Sequence, residues 1–145
     1  MRWGDIKVIT IQKLFLVDKF DYKTLISNSF DEDVKIYLDK MMYAANEGLQ
    51  RIYTYGYPKF INIDGVNTRV KAEQITEDTT DEYKMQTYDE ALVLLPMYIA
   101  SQIYKDDDIG LATGYRNEFE VGLQELKRNK TDEIKQIKTV YEMGV

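Results

Sequence analysis

The chain has 145 residues, 44% of them hydrophobic, and a formal net charge of −6. That fits one domain with enough apolar material for a real core. It contains no cysteine and no histidine, which excludes thiol nucleophiles, disulfides, cysteine zinc sites, Ser-His-Asp triads and histidine metal ligands.

An enzyme would have to work with Asp, Glu, Lys and Tyr alone, so the composition weighs against one. The acid excess weighs against a protein that clamps nucleic acid through phosphates. Near the N-terminus Lys7, Lys13 and Asp18 interrupt the apolar residues and no small-residue cleavage site follows, so no signal peptide is expected. The longest apolar run, Ala91–Ala100, is ten residues, too short for a bilayer and suited to a buried helix.

In chain order, Val8, Ile11 and Phe15 fit one helical face, and Thr10 is a candidate cap. The β-branched cluster Val8-Ile9-Thr10-Ile11 argues for a strand; a short helix from about Thr10 is the preferred reading. Asp21 to Ser29 reads as a linker. Ser29 or Asp31 caps a second helix, with Asp31, Glu32 and Asp33 at its positive end. Val34, Leu38, Met41, Ala45, Leu49 and Ile52 make its apolar stripe, and Gly56-Tyr57-Pro58 stops it.

Around Asp64-Gly65 the period changes to alternation, Ile61 and Ile63 before and Val66, Thr68 and Val70 after. A β-hairpin is expected near 59–71. From Glu73 to Glu90 there are seven acids and one base, a local charge of −6, with few apolar residues. Mobile or extended chain is expected there.

A third helix, from about Asp89 to Lys105, is apolar nearly all round and should be central, kinked at Pro96. A fourth runs from about Ile109 to Arg128, with Ala112, Tyr115, Phe119, Gly122 and Leu126 inward and Lys127 and Arg128 at its negative end. Two apolar helices on a tight acidic corner should pack antiparallel. From Lys127 to Lys138 five bases and two acids give +3, and Ile134, Ile137, Val140, Tyr141, Met143 and Val145 make this end apolar too. The expected fold is mainly α: an antiparallel bundle of about four helices with a small β-hairpin insertion. Residues 1–128 form the domain and 129–145 an extended C-terminal tail.

Asp106-Asp107-Asp108 suits a hard cation, but the alternating ligands and distant glutamate of a calcium loop are missing. A helix–helix corner capped by Asp108 is the plainer reading. Glu118, Glu120 and Glu125 raise the alternative of a Mg²⁺-dependent all-helical nucleotide pyrophosphohydrolase. Glu118 and Glu120 point about 200° apart on a helix, and the second helix offers only Glu47 near its middle, so a solvated face is preferred. Whether Glu47, Glu118 and Asp108 converge is the discriminator. Tyr53, Tyr55 and Tyr57 cluster at the end of the second helix, as an interface or as a rim of the core. No P-loop or dinucleotide fingerprint exists.

The segment Met42-Tyr43-Ala44-Ala45-Asn46-Glu47-Gly48-Leu49 is followed by the β-rich acidic insertion. Then come Leu95-Pro96-Met97-Tyr98-Ile99-Ala100, the aspartate run, and Ala112 through Tyr115 to Phe119-Glu120 and Leu123. This order resembles the head–tail connector proteins of tailed double-stranded DNA bacteriophages, also called adaptor or head-completion proteins. The likeness covers roughly residues 31–128 and is clearest from Ala91 to Leu126. Its motifs describe packing, so they are moderately specific. The first twenty residues, with Trp3, have no fixed place in the family pattern.

The resemblance implies a non-enzymatic neck protein of the virion, made in the host bacterial cytoplasm, with no cofactor, no metal and no membrane. It implies a ring, typically of about twelve copies, under the portal protein and against the next neck or tail-completion protein, through which DNA passes without specific binding. The C-terminal extension of the family grips the portal, a role that falls here to 129–145 with Ile134, Ile137, Val140, Tyr141 and Met143. Glu73, Glu77, Asp78, Asp81 and Glu82 would face the channel or a ring neighbour and repel DNA phosphates. A generic helical interaction module outside phages is the further alternative.

Overall fold

The structure is a computed structural model that describes residues 1–14, 32–55, 60–69 and 71–143, with side chains left undescribed at 32–34, 60–63, 67, 69 and 129–143. The linker at 21–29, the caps Ser29 and Asp31 and the Gly56-Tyr57-Pro58 stop lie outside the described residues. The architecture is mainly helical.

Helix α1 spans Trp3–Lys13, starting well before the expected Thr10. Thr10 is not its cap: it is buried inside the helix and donates its hydroxyl to the Ile6 carbonyl at 2.7 Å. Trp3, Ile6, Thr10 and Leu14 recur at steps of three and four and are all buried, with Ile11 beside them. Tertiary burial therefore overrides the β-branched propensity of residues 8–11. The start is fixed from far along the chain. Two free N–H groups of the first turn need acceptors: Trp3 N donates to the Tyr83 carbonyl at 3.0 Å and Gly4 N to that of Asp81 at 2.9 Å. Arg2 pairs antiparallel with Lys84, and its own N–H donates to Asp5 Oδ2 at 3.0 Å.

Helix α2 spans Glu32–Thr54. Met41, Ala45, Leu49 and Ile52 of the expected stripe are buried, together with Ala44. Gly48 lets α2 come close to its neighbour: a Cβ there would lie 2.6 Å from Leu95 Cδ1 and 2.9 Å from Tyr98 Cδ1. Strands β1, Phe60–Ile63, and β2, Val66–Arg69, lie antiparallel with Ile63 opposite Val66. Asp64 and Gly65 between them have φ of 51° and 82°, the positive values a two-residue turn of this kind needs. Among the described residues the ladder has two strands.

The single helix expected over 89–105 is two, α3 at Asp89–Leu92 and α4 at Leu95–Tyr104. The break falls at Val93-Leu94, and Pro96 sits in the first turn of α4, where its missing N–H is harmless. Ala91, Leu92, Leu94, Leu95, Tyr98, Ile99 and Ala100 are all buried.

Helix α5 spans Ile109–Met143. Asp108 caps it, its Oδ1 accepting from Leu111 N at 3.1 Å. Among its described side chains Phe119 and Leu123 are buried, and the Phe119 ring meets that of Tyr98 at 5.0 Å between centroids. The helix does not end near Arg128, and the backbone through Met143 is helical where an extended tail was expected. Residues 129–143 contain neither glycine nor proline, so nothing in them stops a helix already nucleated upstream. At 35 residues α5 is about 52 Å long.

Helix α4 is central, packed by α1, α2 and α5. One apolar cluster runs from Trp3 and Ile6 through Met41, Leu49, Leu95 and Ile99 to Phe119 and Leu123. Among the described residues no helix is long and apolar enough to cross a membrane.

Candidate functional site

Two regions carry the sequence-derived candidates: the acidic segment and the far half of α5. The acidic segment, expected to be mobile or extended, has no helix or named strand over 71–88, yet it is tied to the core. Ile75, Met85 and Thr87 are buried. The Asn46 side chain of α2 pairs with the backbone of Ile75 in both directions, accepting from its N–H at 2.7 Å and donating to its carbonyl at 2.8 Å. Glu73 is the internal anchor. Its carboxylate accepts from the Tyr83 hydroxyl at 2.7 Å, Gln86 N at 2.8 Å, Thr87 N at 3.0 Å and the Thr87 hydroxyl at 2.7 Å. Burial pushes this carboxyl upward, but the donors outweigh it and hold it below its ordinary value. The same bond, with burial, pushes the Tyr83 hydroxyl up to about 12.

Asp81 forms an ion pair with Lys7 of α1, and Asp89 takes the Met1 ammonium at 2.8 Å. Of the five acids expected to face a channel or neighbour, Glu73 and Asp81 are thus committed inside the chain. Glu77, Asp78 and Glu82 are exposed. Glu77 also borders a cleft of about 600 Å³, lined by Trp3, Lys7, Leu38, Met42 and Ile75 among others. The readable signal for this order was Ile75 and Met85 set among charges, with Asn46 in mid-helix to meet them.

The acids of α5 are divided. Glu120 is gripped by two arginines: Arg51 Nε and Nη2 donate to its two oxygens at 3.2 and 3.1 Å, and Arg116 Nε donates at 3.0 Å. Burial raises this carboxyl, while Arg51 and Arg116 pull it to a net position below its ordinary value. Arg51 also lies over the Tyr55 ring at 4.2 Å and Arg116 over Tyr98 at 4.8 Å. The Tyr98 hydroxyl donates to Glu47 at 3.1 Å. This chain of contacts joins α2, α4 and α5 and fixes their register. Glu118 and Glu125 are exposed. Among the described residues no three acids gather as they would around a cation, Glu47, Glu118 and Asp108 included.

Tyr53 shares a hydrogen bond with Thr87 at 3.1 Å, so it ties α2 to the acidic segment. Tyr57 lies outside the described residues. Tyr115 stacks on Tyr104 and donates to the Lys13 carbonyl at 3.0 Å, closing the C-terminal end of α1. Ile134, Ile137, Val140, Tyr141 and Met143 fall on the helical backbone of α5, and their side chains are outside the described set. The surface residues that sequence reasoning missed are apolar: Ile36 and Tyr43 on α2, Val93 beside the α3–α4 break, and Ile109, Leu111 and Val121 on α5. Exposed apolar groups gathered on helix faces suit recognition of another protein surface. No family model, curated protein or solved structure matches this chain.

Proposed function

We propose that this chain is a head–tail connector of a tailed bacteriophage or prophage, a structural ring protein that sits under the portal, extends the DNA channel and receives the next neck component. The observation that carries the reading is the helix pair behind the resemblance. Leu95, Pro96, Tyr98 and Ala100 are buried in α4, and Phe119 and Leu123 are buried in α5. These motif residues form a packing core, which supports reading the helix pair as a scaffold.

Two further features suit the role. Helix α5 continues for fifteen residues past Arg128, about 22 Å of helix, and that stretch is apolar and basic in sequence. A helix of this kind suits docking onto a portal surface. Glu77, Asp78 and Glu82 are exposed on a segment that is itself firmly held. Acids on a channel wall would repel DNA phosphates and keep the genome from sticking.

The test is to mix the purified chain with portal rings and weigh the product by native mass spectrometry. A stoichiometric ring-on-ring complex is expected. Deleting 129–145 should leave the bundle folded and abolish that complex, because the described core ends near Leu126. Full portal binding by the truncated chain would remove the docking role from the helix end. A persistent monomer that ignores the portal would return the chain to a helical interaction module of another kind.

A further inference from the structure

We infer that the end of α5 lies in a groove of another protein that has an apolar floor and an acidic wall on one side only. The inference rests on the docking role proposed for this helix end and names the chemistry of the surface that receives it. It comes from the way residue types sort around α5. Each residue of an α-helix is turned by about 100° from the last, so every position of this 35-residue helix has a fixed place on its circumference.

The side of α5 that meets the core carries Phe119, Gly122, Leu123 and Leu126, within a sector of about 100°. The described core ends near Leu126, and the helix does not. Past Arg128, Ile137, Val140 and Tyr141 fall in that same sector, with Ile134 at its edge. Lys130 and Glu133 interrupt the stripe between its two parts. The face that α5 uses for its own bundle is therefore repeated beyond the bundle, where an apolar stripe calls for a cover from another surface.

The charges sort to the two flanks of this stripe. On one flank lie Lys127, Arg128, Lys135 and Lys138, within about 100° of one another. The bundle extends that flank. Arg51 and Lys127 both stand over the Tyr55 ring, at 4.2 and 5.9 Å from its centroid, and Arg116 lies on the same side of α5. The acids on this side are Glu120, already held by Arg51 and Arg116, Glu142, and Glu47 of α2, which takes the Tyr98 hydroxyl. Six bases against three acids leave the flank positive. The opposite flank has Glu118, Glu125 and Asp132 and no base.

This lopsided pattern selects the occupant. On an anionic membrane both flanks of an apolar stripe meet the same plane of headgroups, so bases are wanted on both. A nucleic acid backbone takes bases and has no use for the apolar stripe. A protein groove can have two unlike walls. The basic flank then meets acids and the acidic flank meets none, which fixes both the direction and the rotation of the helix in the groove.

Three variants of the full chain test this on portal rings, with dissociation constants from titration and mass from native mass spectrometry. They are Lys135→Glu with Lys138→Glu on the basic flank, Gln136→Lys with Thr139→Lys on the other, and Ile137→Asp with Tyr141→Asp in the stripe. None of these residues belongs to the described core, so circular dichroism and melting temperature should stay those of the wild type. The basic-flank variant should bind about tenfold more weakly or worse, the stripe variant should not bind, and the added lysines should change binding by less than about twofold. Unchanged binding by the basic-flank variant would overturn the acidic wall and spare the connector reading. Tighter binding with the added lysines would overturn its one-sidedness. A wild-type chain that ignores portal rings would remove the connector reading and the groove with it. Phosphatidylserine vesicles and a short DNA duplex serve as rival surfaces. Binding to either as tight as to the portal, and weakened by the same reversal, would overturn the protein groove, as would self-assembly of the chain that the reversal dissolves.

Discussion

Glu73 shows how one side chain can hold a segment that composition assigns to solvent. Its carboxylate takes four donors, two of them backbone N–H groups. Removing it leaves those donors to water or to nothing, which costs about 1–3 kcal/mol, toward the lower end because water can reach the site. Glu73→Ala should therefore lower the stability found by urea titration at neutral pH by that amount. The pH dependence follows from the direction of the shift. The folded carboxyl lies below its ordinary value, so its contribution is present above that ordinary value and is lost as pH falls through the folded one. The gap between wild type and Glu73→Ala should narrow in acid. A gap of constant size down to strongly acidic pH would show that the charge on Glu73 is not what holds the segment. In the sequence Glu73 was one acid in a run. Its partners Tyr83, Gln86 and Thr87 are ten to fourteen residues away, beyond the reach of any local pattern.

At the scale of elements, Gly48 and Gly114 predict opposite outcomes for the same substitution. Gly48→Ala presses on Leu95 and Tyr98. Overpacking of this kind costs about 1–3 kcal/mol, offset by about 1 kcal/mol of helix propensity. Gly114→Ala meets nothing and should stabilise the isolated chain by up to about 1 kcal/mol. Denaturant midpoints of the two variants should move apart, down for Gly48→Ala and up for Gly114→Ala. Movement in one direction for both would refute the close approach of α2 and α4. Helix α2 was legible because Met41, Ala45, Leu49 and Ile52 keep a strict helical spacing and all face the core. The start of α1 was not, since its acceptors, the carbonyls of Asp81 and Tyr83, lie some eighty residues downstream. The far half of α5 was misread because its switch to basic charge suggested a new segment, while the absence of glycine and proline from 129–143 carried more weight for the backbone.

At the scale of the whole molecule, one core is shared by α1 and α5 among other elements, and Phe119 is the largest fully buried side chain among the described residues. Phe119→Ala should cost about 3–5 kcal/mol, enough to unfold much of a domain of ordinary stability. Circular dichroism should show the loss across all helices at once. A loss confined to part of the helical signal would mean that the bundle is not one cooperative unit. The central place of α4 and the inward face of Phe119 were legible from hydrophobic spacing. The clasp between the N-terminal turn and residues 81–85 was not, because it is made of backbone groups that carry no sequence signature. That clasp also has an optical consequence. The chain has a single tryptophan, Trp3, and it is 3% exposed at the clasp, with Lys7 over its ring at 5.5 Å. Indole emission therefore reads one joint of the molecule, while the far-ultraviolet signal reads its helices. If the emission shifts to the red at a lower temperature than the helical signal falls, the clasp opens before the bundle melts, and the separation of the two curves measures how independently it does so.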